Sequence, residues 1–374
     1  MNTSLNNTTL SDPDGPLESR SYGLNVTVSF LIVLIAVMGL VGNILVIFAV
    51  FMYHRLRDEV SNLFIVNLSI TDLSSAFVVM VSSAVAVGAD RWPMGRAWCS
   101  MVCGANYCFI IVSMLTLSLI SLDRYMAIHH SLRYHVLVTK PKVLVLIAYT
   151  WLQGFAFGLA PILCGWVEYD YWEVTCAIQW HRYGNPVLTY VIVAFVVCFM
   201  LPGVVLSIAY CKVFRTAKKI KPRPRPAIGL ATVSGGRLDG NGTPGDQNGQ
   251  PGGHNVQVAK REKVTYSESS KAVRSLLIVV LAFFICMTPF SVTKLYKVCV
   301  PVPDALPGYA NILATFFQFM SSAVNPLIYG LFRRDFQKAF LYLLWRSMRQ
   351  HGTDSMPFRS STLYRNSDNS DNPL

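Results

Sequence analysis

Hydrophobic positions along the chain gather into seven long blocks, at residues 24–53, 60–89, 98–122, 143–167, 183–211, 275–293 and 305–332; all are free of charge except for Asp72 in the second. Each block can supply the roughly 20 apolar residues that a helix needs to cross about 30 Å of hydrocarbon, where a helix satisfies its backbone polar groups internally. The pattern predicts an all-α membrane protein: a polar tail over 1–23, then a seven-helix transmembrane bundle over 24–331. Beyond it Phe332, Phe336, Phe340 and Leu344 recur at helical spacing beside Arg333, Arg334 and Lys338. That predicts a short amphipathic helix over 332–345 lying on the inner membrane surface, followed by a polar tail over 346–374. Between the fifth and sixth blocks, residues 222–263 are Pro-Arg repeats and then a stretch dense in Gly, Asn and Pro. Such a composition buries too little apolar surface to offset chain entropy, so a disordered loop is expected.

Composition agrees with this division, since 53% of residues are hydrophobic and 14% charged, against about 25% charged in soluble domains. Lys and Arg near helix ends stay on the cytoplasmic side. With the N-terminus outside, the inner segments hold 26 of the 32 basic residues, which gives the orientation. The chain is expected at the plasma membrane as a multi-pass protein. Its basic residues, such as Lys218, Lys219 and Lys221, abut a span without any nucleic-acid motif, so the lipid bilayer rather than nucleic acid is their expected partner. Sequons at Asn2, Asn6 and Asn7 lie in the outer tail as glycosylation candidates. Of the nine cysteines, Cys99, Cys164, Cys176 and Cys299 fall on the outer side, where disulfides last.

Taken in order, the polar residues of the blocks resemble the rhodopsin-like (class A) G-protein-coupled receptors across nearly the whole membrane portion. The landmarks are Gly42-Asn43, Leu68 to Asp72, Asp123-Arg124-Tyr125 with Leu132 and Tyr134, Trp151, Pro202, Tyr210, Phe283, Cys286, Pro289 and Asn325-Pro326-Leu327-Ile328-Tyr329. Cys99 precedes Arg124 by 25 residues, the family spacing for an extracellular disulfide, here to Cys176. The resemblance implies a heterotrimeric G protein, arrestin and receptor kinases as partners. It also implies an activation switch in which Arg124 leaves Asp123 and reaches Tyr210 and Tyr329, with Pro202, Pro289 and Pro326 as hinges. Arg124 read alone is one more inner positive charge.

A carboxylate inside the membrane is a functional hypothesis by default. The resemblance places an allosteric sodium ion at Asp72, Ser113, Ser321 and Asn325, with Ser322 adjacent; a protonated Asp72 among waters is the other reading. No other cofactor is expected. Three departures mark this chain: Met287 stands where most relatives have a switch tryptophan, Ser131 replaces a usual proline, and Ser269 replaces a latching glutamate. Ser269, Met287 and the loop below suggest ligand-independent activity, with stimulation of adenylyl cyclase and cAMP as the coupling.

The ligand pocket is expected among Asn106, Tyr107, Phe195, Phe290, Ser291, Lys294, Asn311 and Thr315. Asn106 replaces the aspartate of amine receptors, so the unknown extracellular ligand is not expected to be a biogenic amine. Lys294 reads either as an anchor for an anionic ligand or as a solvated charge at a helix end. The second outer loop places Trp166, Tyr169, Tyr171 and Trp172 among Glu168, Asp170 and Glu173. With Trp180-His181 it is similar to loops of orphan receptors neighbouring the amine branch that signal without added ligand; the other reading is an acidic rim for a basic peptide. A membrane transporter or channel is the alternative function, opposed by the lack of internal repeats and paired broken helices. No motif suggests an enzyme.

Overall fold

The computed structural model describes residues 19–130, 133–179, 185–219, 277–300, 302 and 306–353. Among the described residues, seven helices long and apolar enough to cross a membrane follow one another: α1 (Tyr22–Met52), α2 (Asn62–Gly88), α3 (Gly95–His129), α4 (Lys140–Leu163), α5 (Pro186–Ala209), α6 (Leu277–Cys299) and α7 (Gly308–Phe332). An eighth helix, α8 (Arg334–Thr353), starts after a single extended residue, Arg333. It runs beyond the expected 332–345, to Thr353. Asn2, Asn6, Asn7, Ser131, Leu132, the side chain of Tyr210, the 222–263 loop, Ser269 and the tail from 354 lie outside the described residues.

The bundle is written for lipid on its outside, with large apolar side chains such as Phe30, Leu152 and Ile285 facing outward. Inside, polar side chains find partners. Asn67 is buried, donates to Thr116 Oγ1 at 2.8 Å and accepts from Trp151 Nε1 at 2.8 Å, so its sequon belongs to the core of the bundle. Asn43 donates to the Ser322 carbonyl at 3.0 Å, tying α1 to α7. The α3–α4 contact is set by small residues: a Cβ at Gly158 would lie 2.5 Å from the Gly104 carbonyl, and one at Gly154 would lie 2.7 Å from Val112. Dispersion gained by such close approach drives helix association where lipid is as apolar as leucine.

Two features escape the hydrophobic pattern. A π-helical turn occupies Ala76–Met80 and another Val196–Met200, just before Pro202. The second outer loop forms an antiparallel hairpin, β1 (Val167–Asp170) with β2 (Thr175–Ile178), in which Tyr169 faces Cys176. Cys176 is bonded to Cys99 at the outer end of α3, so the hairpin is fixed over the bundle mouth.

Candidate functional site

The hairpin tip points inward because its own residues shape and anchor it. Asp170 accepts from the backbone N–H groups of Trp172 and Glu173 at 3.1 and 2.9 Å, which turns the chain. Val174 follows at φ 53°, a left-handed conformation costly for a β-branched residue and held by the burial of its side chain. The Trp172 ring lies over Gly308 at the start of α7, where a Cβ would come within 2.2 Å of it. On the outer side, the Arg20 guanidinium sits 3.9 Å over the Tyr171 ring, and both Arg20 and the Tyr171 hydroxyl donate to Asp90.

Glu173 is thereby carried into the bundle, with only 2% of its surface exposed. One carboxylate oxygen meets Lys294 Nζ; the other accepts from Lys297 Nζ at 2.5 Å, and Lys297 also donates to Asp170 at 2.9 Å. Thr315 on α7 donates to the Glu173 carbonyl at 3.1 Å. Burial alone would push the Glu173 carboxyl up, yet the two ammonium charges outweigh it and hold it well below the usual carboxylate range. Lys294 is therefore no solvated helix-end charge: it and Lys297 are 7% and 8% exposed. Paired, they let α6 run to Cys299, past the charge-free block ending at 293. Of the three acids expected at a rim, Asp170 and Glu173 face inward, while Glu168 accepts from Gln179.

Beneath the tip lies a cavity of about 120 Å³ between α3, α5 and α6. Five of the eight expected pocket residues line it: Tyr107, Phe195, Phe290, Ser291 and Lys294. Asn106, Asn311 and Thr315 do not. Asn106 accepts from Gln318 Nε2 at 2.6 Å, and Thr315 is engaged by the loop. Met287 is buried in the core beside Phe283 and Phe290.

At mid-membrane, Asp72 is buried and accepts from Asn325 Nδ2 at 2.8 Å, with Ser322 beside it; it has no ion pair among the described residues. Ser113 donates to Thr71 Oγ1 at 3.3 Å and Ser321 to the Gln318 carbonyl at 2.6 Å. Ser321 is thus turned along its own helix, and Ser322 is the serine nearer the carboxylate. A lone buried carboxylate among hydroxyl and amide oxygens is a donor set suited to a small hard cation.

At the inner end of α3, Arg124 donates to Asp123 Oδ2 at 2.8 and 2.6 Å, to Ser61 Oγ at 2.6 Å and to Glu59 Oε1 at 3.2 Å. Tyr134 donates to Asp123 Oδ1 at 2.8 Å. Burial works against the Glu59 charge, but Arg124 and Arg333 hold this carboxyl below its ordinary range. Tyr125 faces His129, with Lys212 Nζ 5.4 Å from its ring, and Tyr329 is fully buried against Phe336. Sequence reasoning missed Glu59, Ser61, Lys297, Gln318 and Gly308. Glu59 and Ser61 had a signal, an acid and a hydroxyl just before α2; the pairing of Glu173 with two lysines more than 120 residues away had none.

Residues 42–329 match the family model described as 7 transmembrane receptor (rhodopsin family). The chain is 31% identical to the mouse (Mus musculus) alpha-1D adrenergic receptor over 316 residues, which cover 81% of this chain; it spans about half, 54%, of that relative's length. It is 29% identical to the octopamine receptor beta-2R of Chilo suppressalis, with 83% of this chain and 77% of that one covered. It is 27% identical to the D(1A) dopamine receptor of Didelphis virginiana, with 91% and 78% covered. Among solved structures, squid rhodopsin superposes with a TM-score of 0.71 at 17% identity, covering 92% of this chain and 95% of that one.

Proposed function

Since the chain belongs to the rhodopsin family of seven-transmembrane receptors, we propose that it relays a conformational signal across the plasma membrane to a heterotrimeric G protein, and that it does so without added ligand. The observation that carries the second part is the hairpin tip, with Glu173 buried between Lys294 and Lys297 and Trp172 on Gly308. A loop held there supplies contacts that a diffusing ligand would otherwise make, and fixing it through a disulfide and ion pairs makes those contacts intramolecular. Stimulation of adenylyl cyclase is the coupling we favour. Arrestin and receptor kinases are the remaining partners.

The named relatives are receptors for adrenergic ligands, octopamine and dopamine, but an amine is not the ligand we infer. Asn106 carries no charge and is committed to Gln318, so no fixed anion waits on that face of α3. Sodium at Asp72, Ser113, Ser322 and Asn325 is proposed as a brake that favours the resting arrangement. The ion, when bound, supplies countercharge; the chain's own part is to hold these oxygens together only while α2, α3 and α7 stay packed.

The experiment compares cAMP, calcium and inositol phosphates in cells with and without the chain, no ligand added. It also compares the natural chain with a variant carrying both Trp166→Ala and Trp172→Ala at matched surface expression. A rise in cAMP that the double variant loses supports the reading. Background levels in all three assays would reject it.

A further inference from the structure

Glu173 does more than brace a loop. Its carboxylate bridges Lys294 and Lys297, one oxygen to each, and Lys294 also lines the apolar cavity, its ammonium 4.8 Å from the Phe290 ring. The lysines stand three residues apart on α6 and so share a helix face. Asp170 remains beside Lys297, which leaves one carboxylate as the charge complement of the pair. Below Lys294 the walls are Tyr107, Ile110, Met114, Phe195 and Phe199, almost entirely ring and hydrocarbon. The volume, about 120 Å³, is close to the ~150 Å³ that takes one benzene ring.

We propose that this mouth binds a small aryl-alkanoic acid: its ring enters the cavity and its carboxylate takes the place of Glu173 between Lys294 and Lys297, displacing the hairpin tip. This rests on the reading that the tip occupies the mouth in the ligand-free receptor. The exchange is charge-neutral at the site, one carboxylate leaving for water as another enters. Withdrawal of the tip also frees Val174 from its left-handed backbone. A phosphate or a basic peptide fits less well, the first lacking a group for the apolar walls and the second meeting two buried cations.

The acid competes with a tethered carboxylate, so its apparent affinity is reduced by the fraction of time the mouth is open. Removing that competitor should tighten binding by about tenfold. The test uses the full chain in lipid nanodiscs and follows thermal stabilisation by 3-phenylpropionate, 3-phenylpropionamide and 3-phenylpropylamine, with ligand-free cAMP measured in the same cells. The acid alone should stabilise the natural chain, bind about tenfold tighter to Glu173→Gln, and lose its advantage over the amide when Lys294→Gln is added to Glu173→Gln. That double variant keeps a neutral hydrogen-bonding pair and leaves Lys297 with Asp170, so it remains informative even where Glu173→Gln alone folds poorly. Equal effects of acid and amide on both the natural chain and the double variant would overturn the proposal, as would preference for the amine. Loss of acid preference with basal cAMP intact removes only the ligand class; acid binding without basal cAMP removes only the ligand-free activity.

Discussion

Replacing Glu59 by Gln should raise ligand-free signalling. The switch expected at the inner end of α3 is the release of Arg124 from its partners, which are Asp123, Ser61 and Glu59, the last at 3.2 Å. Gln keeps the size and most of the hydrogen bonding but removes the charge. A hydrogen bond to a charged group contributes about 1.5–3 kcal/mol when shielded, whereas exposed ion pairs contribute about 0.2–1 kcal/mol. The side chains here are 16% and 39% exposed, so about 1 kcal/mol is the appropriate figure after screening. That shifts the ratio of resting to active receptor about fivefold, for example from about one active receptor in twenty to about one in five. The assay is basal cAMP at matched surface expression, with Asp58→Asn as control. Asp58 is the neighbouring acid, exposed and paired at 4.0 Å with Arg57, and its substitution removes the same charge from the inner surface. An unchanged or lower signal in Glu59→Gln, or an equal rise in Asp58→Asn, would refute the latch.

Cys99→Ser or Cys176→Ser should each sharply reduce surface expression, read by flow cytometry, because the bond fixes the hairpin over the mouth. Asp72→Asn should abolish any sodium dependence of basal signalling; dependence that persists excludes the site. Truncation after Gln350 removes Ser360, Ser361, Thr362, Ser367 and Ser370 and should reduce arrestin recruitment in a proximity assay, since phosphates there would add clustered negative charge. Glu173, held below the ordinary carboxylate range by Lys294 and Lys297 with Asp170 alongside, contributes above its unfolded pKa and is lost only as pH falls through its lower folded value. Basal cAMP should therefore be indifferent to this group when the medium is acidified from about pH 7.5 to about 5.5, and a fall reversed by Glu173→Gln would contradict the ion-pair assignment.

The spans were legible because membrane solvation imposes one rule on every residue of a block, and charge-free runs record it directly. Cys99 and Cys176 were legible through compartment and family spacing. The pairing of Lys294 and Lys297 with Glu173 was not: a lysine at a helix end looks solvated until its partner is known, and Glu173 belongs to a loop brought there by the disulfide and by contacts with Gly308 and Thr315. The same reason hid Glu59, whose partner Arg124 lies 65 positions away. Asn106, Asn311 and Thr315 were grouped with the cavity because helical periodicity gives the face of a helix, not which neighbour fills the space before it. The π-helical turns leave no trace in composition.

Arg20 offers a practical lesson for anyone who handles this receptor. The guanidinium at the root of the N-terminal tail is buried against Tyr171 and reaches Asp90, and the hairpin carries Tyr171. Residue 20 and the hairpin are consequently coupled through this contact. An epitope tag or bulky fusion placed directly before α1 should therefore disturb the hairpin as well as label the chain. Spacer length before residue 20 thus becomes a variable to titrate in every assay built on a tagged receptor.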